Sequence, residues 1–211
     1  MRLQHKAKQL SKAVFVGSLV RDFEKGGRLQ LIMLLAEGLY PDSKVLDIGC
    51  GCLRGGYWLI HFLDQGCYCG IEPNKASLEA GIKEILEPEL LDAKRPRFDR
   101  NGHFDSSVFD EKFDFFLARS IWTHASKDHI RTMLDSFVRD STDNAVFLTS
   151  YYPARWFIFR DYQGTKWVAP TMICHSFNWI QAECQQRGLK AVPLKGGRLN
   201  WQIWLKIVKM R

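Results

Sequence analysis

The chain of 211 residues fits one domain, and a hydrophobic fraction of 46% is ordinary for a globular protein with a full core. No stretch approaches the roughly 20 apolar residues that a membrane helix needs, so we expect no transmembrane segment. The net charge of +7 favours an anionic partner, but the basic residues are spread along the chain, whereas nucleic-acid recognition usually shows a concentrated patch or a known module. Nucleic acid is therefore a possible partner that the sequence does not favour.

The first 40 residues are predicted to be helical, with a break at Pro41. Apolar residues recur at spacings of three and four between residues 3 and 14, which favours an amphipathic helix. Basic residues followed by the apolar run 13–20 resemble the start of a signal peptide. However, Arg21 and Asp22 end that run, and no small-residue cleavage site follows. We therefore expect a cytoplasmic protein.

Four of the six cysteines form two C-x-C pairs, Cys50 with Cys52 and Cys67 with Cys69. Tetrahedral zinc sites typically use C-x₂₋₄-C spacing, so a single intervening residue fits a metal poorly. The first pair falls in a glycine-rich turn and the second alternates within a predicted strand. We expect free, partly buried thiols and no metal site.

Strands and helices alternate from residue 44 onward, which is typical of a mostly parallel α/β sheet with helices on both faces. We predict strands at 44–48, 67–72, 97–98, 113–118, 145–150, 189–194 and 201–208. We predict helices at 54–64, at 74–86 up to Pro88, from the cap Ser126 to 139, and at 177–187. The turn 195–198 leaves no room for a parallel crossover, so the last strand must run antiparallel to its neighbour.

The most informative segment, VLDIGCGCLRGG at residues 45–56, joins a strand to a helix. Its glycines allow a sharp turn close to a ligand, and the following helix N-terminus suits a carboxylate or a phosphate. Gly49 and Gly51 match the first two glycines of the dinucleotide fingerprint G-x-G-x-x-G, but Arg54 stands at the position of the third. Asp47 has the wrong charge for a pyrophosphate, and suits a ligand that carries an ammonium or sulfonium group.

Glu72 ends the second predicted strand. A carboxylate there can accept both ribose hydroxyls in charge-assisted hydrogen bonds, each worth about 1.5–3 kcal/mol. Asp47, a glycine loop and then Glu72 fit an adenosyl amino acid better than NAD. A nicotinamide-dependent reductase is therefore a distant alternative.

The segments LDIGCG, GIEPN, FDFFLARSIWTH and the closing WQIW, taken in this order, resemble class I S-adenosylmethionine-dependent methyltransferases over about residues 44–209. The resemblance implies a seven-stranded sheet with an antiparallel last strand, as the hairpin argument found independently. It predicts one domain at 1–211, with a helical cap at 1–40 and a Rossmann-like core at 44–209. This chain has Leu53 where the family often has a third glycine, and Gly55-Gly56 offers a replacement.

The resemblance also implies S-adenosylmethionine as cofactor, with S-adenosylhomocysteine as product. The implied cofactor contacts near the first two strands are Asp47, Gly49, Cys50, Gly51, Glu72 and Pro73. The adenine would lie beside the loop after the third strand, where we expect Asn101 to hydrogen bond it and Phe104 to contact its ring. Asp99 or Asp105 is the polar alternative if the alignment slips by two residues.

A methyl acceptor with a hydroxyl group benefits from a base near neutral pH, and histidine is the usual candidate. His124 falls just past the end of the fourth strand, where open α/β sheets hold their ligands. Packing at the start of the next helix is an equal alternative for it, and His103 and His175 are weaker candidates. Arg119 and Ser120 lie on the same stretch and are predicted cofactor contacts.

The predicted acceptor contacts are Trp122, Tyr151, Tyr152 and His175. Tyr151, Tyr152 and His175 lie in an aromatic segment at 151–175, which also contains Arg155, Trp156, Phe157, Phe159, Tyr162 and Trp167. The segment suits stacking on a sugar, a polyketide or a nucleobase, and equally suits a lid over its own core. The chain lacks an Asn/Asp-Pro-Pro-Tyr/Phe motif of the kind found in enzymes that methylate the amino groups of nucleic-acid bases. This absence disfavours base methylation without excluding it.

Three hypotheses follow from the sequence. The first is a small-molecule O-methyltransferase that acts on a sugar or a secondary metabolite. The second is an RNA or protein methyltransferase that uses the basic surface, and the third is a non-catalytic S-adenosylmethionine-binding subunit. The sequence does not indicate an oligomeric state.

Overall fold

The computed structural model describes residues 2–17, 20–155, 159–195 and 201–210. Its contacts divide the chain into two compact units, Met1–Gly102 and His103–Arg211. In the parts of the chain that the structure describes, no helix has both the length and the apolar character to cross a membrane. The predicted boundaries of one domain, with a cap at 1–40 and a core at 44–209, stay a prediction.

The first unit begins with two helices, α1 (Leu3–Leu10) and α2 (Phe23–Ala36), with a short 3₁₀ turn before α2. The apolar face of α1 is buried, as its spacing predicts. Its residues Leu3, Ala7 and Leu10 form a core cluster with Val16, Phe23, Cys52 and Ile85. Helices this short are marginal alone, so this packing is what holds α1 in place.

The strands of the first unit are β1 (Val45–Ile48), β2 (Tyr68–Ile71) and β3 (Arg97–Asp99), paired in parallel in the order β3-β2-β1. Every residue of β1 and β2 is buried, including Asp47 of β1, which fits strands that are covered on both faces. Ile48 pairs with Ile71, and Ile71 pairs with Asp99. The loops that follow the three strands therefore leave the sheet at one edge.

The helices between these strands are α3 (Gly56–Phe62), α4 (Lys75–Ala80) and α5 (Pro88–Lys94). The prediction for Pro88 was incomplete, because this residue also begins a helix. The chain continues from α4 through a π turn at Gly81–Ile85 and then restarts at Pro88. Proline suits the first position of a helix, since the N–H that it lacks would have no helical partner there.

The second unit contains β4 (Phe113–Ala118), α6 (Lys127–Asp140), β5 (Ser141–Pro153), β6 (Cys174–His175), α7 (Phe177–Gln186), β7 (Leu189–Pro193) and β8 (Ile203–Lys209). Its strand order is β4-β5-β8-β7, and the two-residue β6 pairs with β5. β4 runs parallel to β5, whereas β8 is antiparallel to both β5 and β7. The predicted antiparallel last strand is confirmed, although residues 196–198 of the predicted turn lie outside the described residues.

The start of α6 has the cap that the sequence predicts. The Ser126 hydroxyl accepts a hydrogen bond from the His129 backbone N–H at 3.3 Å, and His129 Nδ1 accepts one from the Ser126 N–H at 3.2 Å. This reciprocal pair is a capping box with histidine in the place usually held by Glu or Gln. Two N–H groups that the helix itself leaves without partners are satisfied in this way.

We expect Ser126→Ala to destabilise the protein by about 1 kcal/mol, because the first turn of α6 loses its side-chain acceptor. For a chain of this size the loss lowers the Tm by roughly 2–4 °C, which circular dichroism can follow. Ser176 is the matched control, since it is the N-cap residue of α7 and its side chain makes no capping bond. Equal losses in Ser126→Ala and Ser176→Ala would contradict the assigned role of the Ser126 hydroxyl.

Candidate functional site

The glycine-rich loop after β1 turns through left-handed backbone conformations. Gly49 and Gly51 have φ values of 71° and 57°, which glycine adopts without steric cost. Apart from Gly51 itself and its two chain neighbours, no described atom lies within 4 Å of a Cβ built on Gly51, so the loop is open at that point. Leu53 is also left-handed, with φ of 63°, and its side chain is fully buried. The position where the family often has glycine thus keeps the glycine-like conformation with a core side chain.

The loop is bonded to the end of β2. The backbone N–H groups of Gly49 and Cys50 donate to the Ile71 carbonyl at 2.8 and 3.1 Å. Glu72 accepts from the Gly51 N–H through Oε2 at 2.9 Å and from the Asn74 N–H through Oε1 at 2.8 Å. Each carboxylate oxygen has two lone pairs, so both can still accept a hydroxyl from a ligand.

Asp47 lies inside the sheet beside this loop. Its side chain is only 3% exposed, and the Tyr68 hydroxyl donates to its Oδ2 at 2.8 Å. Burial raises the pKa of Asp47 to about 7, against the opposing effect of the Tyr68 hydrogen bond and with a further contribution from the charge of Glu72. Burial also raises the pKa of Glu72, although the N–H groups of Asn74 and Gly51 oppose it. A ligand with a positive charge would favour the ionised forms of both carboxylates.

The loop after β3 lies at the same edge of the first unit. Asp99 Oδ1 accepts from the Asn101 backbone N–H at 2.8 Å and from its side-chain Nδ2 at 2.7 Å. This pair orients the Asn101 amide, and the Asp99 carbonyl accepts from the Glu72 N–H at 3.0 Å. Pro73 is exposed, and its ring lies 3.9 Å from a Cβ built on Gly102.

The first unit therefore brings together the predicted cofactor contacts Asp47, Gly49, Cys50, Gly51, Glu72, Pro73 and Asn101. The Cys50 side chain is 5% exposed and packs against β2, with its sulfur 2.9 Å from a Cβ built on Gly70. Burial raises the pKa of the Cys50 thiol well above its usual range. Cys50 thus presents its backbone, rather than its thiol, to the open side of the loop.

All six cysteines are free thiols. Among the described residues, no group of three or more His, Cys, Asp or Glu side chains is arranged to hold a metal ion. The expectation of no metal site stays a prediction.

In the second unit, Arg119 and Ser120 belong to a polar network at the ends of three strands. The Ser150 hydroxyl accepts from Arg119 Nη1 at 2.6 Å and from the Ser120 N–H at 2.9 Å, and donates to Gln202 Oε1 at 2.7 Å. The Arg119 guanidinium also lies 4.9 Å from the centre of the Trp204 ring. Sequence reasoning missed Ser150 and Gln202. A polar Gln202 inside the apolar WQIW segment was the available signal.

His124 is held in one tautomer. Its Nδ1 lies 2.8 Å from the Val168 carbonyl oxygen and 3.1 Å from the Thr171 carbonyl oxygen. Carbonyl oxygens only accept hydrogen bonds, so Nδ1 carries the proton, and in the neutral ring Nε2 keeps its lone pair. The His124 carbonyl also accepts from the Val168 N–H at 2.9 Å. These bonds fix the orientation of the imidazole.

An aromatic cluster surrounds Trp167, which is 42% exposed. The centre of its ring lies 5.7 Å from that of His124, 6.3 Å from that of Phe104 and 6.2 Å from that of His129. Phe104, predicted to contact an adenine, is 6% exposed and packs in this cluster. The structure therefore brings Phe104 together with the predicted base, and adds His129, which sequence reasoning missed.

Three of the four predicted acceptor contacts are interior residues. Trp122 and His175 are fully buried and Tyr151 is 2% exposed, whereas Tyr152 is partly exposed. His175 Nε2 lies 3.0 Å from the Ala125 carbonyl oxygen, and burial lowers the pKa of His175. This burial favours packing roles for the three residues. Trp156 and Phe157 of the aromatic segment lie outside the described residues, and His103 is exposed.

No protein-family model matches the chain. Among solved structures, it is similar to the magnesium protoporphyrin IX methyltransferase of Synechocystis with bound S-adenosylhomocysteine, at 13% identity and a TM-score of 0.65. That match covers 97% of this chain and 93% of the other. It is also similar to an S-adenosylmethionine-dependent methyltransferase of Clostridium acetobutylicum, at 11% identity and a TM-score of 0.67, over 98% and 97% of the two chains.

A sugar N-methyltransferase from a Streptoalloteichus species matches at 12% identity and a TM-score of 0.65, over 90% of this chain and 89% of the other. The strand order and the antiparallel β8 agree with these structures. The predicted fold class is thereby confirmed: a mostly parallel seven-stranded α/β sheet with helices around it and an antiparallel last strand. The chain has the class I methyltransferase fold.

Proposed function

We propose that this protein is an S-adenosylmethionine-dependent methyltransferase that transfers the methyl group to a hydroxyl of a small molecule. The observation that carries the proposal is the placement of two acidic side chains, Asp47 and Glu72, around an open glycine loop. The fold supports the reaction class, and the acceptor is inferred from the chemistry of the second unit.

The donor set around the loop fits S-adenosylmethionine. Glu72 is anchored by two backbone N–H groups and keeps lone pairs for the two ribose hydroxyls. In this proposal Asp47 faces the cationic methionyl end with a carboxylate, and the Asn101 amide hydrogen bonds the adenine. Carboxylates at Asp47 and Glu72 would repel a pyrophosphate, which disfavours a dinucleotide.

When bound, S-adenosylmethionine supplies an activated methyl group and is converted to S-adenosylhomocysteine. His124 Nε2 would accept the proton of the acceptor hydroxyl. The two carbonyls that bind Nδ1–H keep the imidazole in the tautomer that this step requires, and they stabilise the imidazolium that forms. Alignment of the two reactants can supply roughly 7–11 kcal/mol of the barrier reduction.

The surroundings of His124 favour a small acceptor with an apolar ring face. Trp167 exposes part of its indole beside the imidazole, and aromatic side chains suit stacking on sugars and on planar rings. Magnesium protoporphyrin and a sugar are named for two of the structural neighbours, which also supports a small-molecule acceptor. The dispersed basic residues do not favour RNA.

We expect Glu72→Ala to weaken S-adenosylhomocysteine binding at least tenfold, because the ribose hydroxyls lose charge-assisted acceptors and the Gly51 N–H loses its partner. Isothermal titration calorimetry measures the change. Glu79→Ala is the matched control, since Glu79 is 63% exposed on α4 and pairs only with its helix neighbour Lys75 among the ion pairs described. Unchanged affinity in Glu72→Ala would remove this cofactor site.

We expect Asp47→Asn to weaken S-adenosylmethionine binding while it stabilises the cofactor-free protein. The pKa of Asp47 is about 7 in the folded state and 3.8 in its ordinary state, so the unfolded chain loses this proton first as the pH rises. The wild type therefore loses stability between about pH 4 and pH 7, and asparagine does not. Differential scanning calorimetry should show a larger Tm gain at about pH 8 than at about pH 5. An equal gain at both would contradict the raised pKa.

We expect His124→Ala to lower turnover of a hydroxyl acceptor by about 10²–10⁴-fold, with little change in S-adenosylhomocysteine affinity. His103→Ala, which alters an exposed histidine, is the control. Long-range ¹H–¹⁵N correlation spectra should show the wild-type His124 protonated at Nδ1 and bare at Nε2. Turnover equal to that of the wild type, or a proton on Nε2 in the neutral ring, would end its role as base.

A further inference from the structure

The Arg54 side chain points from the glycine-rich stretch towards the N-terminal helices. Its Nε donates to the Phe23 carbonyl at 3.0 Å, and its Nη2 donates to the Asp22 carbonyl at 2.5 Å. The guanidinium also lies 5.6 Å from the centre of the Phe23 ring. The residue that breaks the dinucleotide fingerprint thus binds the start of α2.

Glycines in α2 and beside Arg54 allow the two segments to approach each other this closely. A Cβ on Gly26 would lie 2.4 Å from Arg54 Nη2, and one on Gly27 would lie 2.1 Å from the Arg54 carbonyl oxygen. A Cβ on Gly55 would lie 2.4 Å from Gln30 Oε1. Two consecutive glycines inside a helix cost about 1 kcal/mol each relative to alanine. Close packing of α2 against the loop is the physical reason for their presence.

The same short stretch is held from two directions. Cys52 belongs to the core cluster that buries the apolar face of α1, and Arg54 is bonded to α2. On the other side, the Gly51 N–H donates to Glu72, at the open part of the loop. Leu53, between these attachments, has a left-handed backbone that costs roughly 1–2 kcal/mol for a residue with a side chain. Both attachments are needed to keep the loop in this strained form.

We propose that Arg54 is a positioning residue that ties the glycine loop to the N-terminal helices, so that the docking of α1 and α2 sets the affinity for the cofactor. The inference rests on the proposed function of the loop. Burial lowers the pKa of Arg54, and two carbonyl oxygens compensate the buried charge. Because coupling is reciprocal, cofactor binding must also stabilise the docked state of the two helices.

The test measures S-adenosylhomocysteine affinity by calorimetry in the full chain. We expect Arg54→Ala and Gly26→Ala each to weaken binding at least tenfold, and Arg54→Lys to fall between them and the wild type, since an ammonium lacks the two-pronged geometry of a guanidinium. Lys25→Ala is the matched control. It removes an exposed cation from the same helix, next to Gly26, and it should leave affinity unchanged.

Chemical rescue separates positioning from general damage. Ethylguanidinium added at millimolar concentration should restore S-adenosylhomocysteine affinity to Arg54→Ala, whereas ethylammonium should not. Hydrogen exchange of α1 and α2 should slow on ligand binding in the wild type, and less so in Arg54→Ala. If Arg54→Ala fails to fold, Arg54→Lys takes its place in the test. Its affinity for S-adenosylhomocysteine and the slowing of hydrogen exchange in its α1 and α2 are then compared with those of the wild type.

If the wild type binds S-adenosylhomocysteine and the Arg54 variants bind it with the same affinity, the inference is overturned and the proposed function stands. A loss of affinity in Arg54→Ala that ethylguanidinium does not reverse would also overturn it. No binding of S-adenosylhomocysteine by the wild type would overturn the proposed function, and the inference with it.

Discussion

The hydrogen bond from the Gly51 N–H to Glu72 is the contact on which the rest of the candidate cofactor site depends. It joins the loop after β1 to the end of β2, and the same carboxylate also accepts the Asn74 N–H at the start of the next loop. Burial raises the pKa of Asp47, and the charge of Glu72 adds to this effect. Glu72 therefore contributes both to the geometry of the loop and to the electrostatics of Asp47.

Much of this arrangement was predictable from sequence because it depends on local chemistry. Buried parallel strands are rich in apolar residues. A carboxylate near the carboxyl end of such a strand lies at the edge where open α/β sheets bind their ligands. Asp47, Glu72 and the Ser126 cap follow from this. The unit that a loop residue joins does not follow from local chemistry. Phe104, two residues past Gly102, packs with Trp167.

Tertiary packing accounts for the other differences. Aromatic side chains near the end of a strand suit either a ligand or a core, and sequence cannot separate the two. Trp122, Tyr151 and His175 are interior residues. A backbone hydrogen bond from the Ile173 N–H to the Thr123 carbonyl ties the segment after β5 to the residue next to Trp122. Ser150 and Gln202 meet only because β8 runs antiparallel beside β5, with Ser150 opposite Trp204. Cytoplasmic location stays a prediction.

The glycine pair of α2 also bears on how this sequence can change over evolutionary time. Arg54 occupies the space that a methyl group at position 26 would fill, so the two positions constrain each other although they are far apart in the sequence. A lineage that replaces the arginine removes the steric reason for glycine at 26 and gains helix propensity by drifting to alanine. The return path is then closed, because the arginine no longer fits. Relatives should accordingly divide into two groups, one with both residues and one with neither.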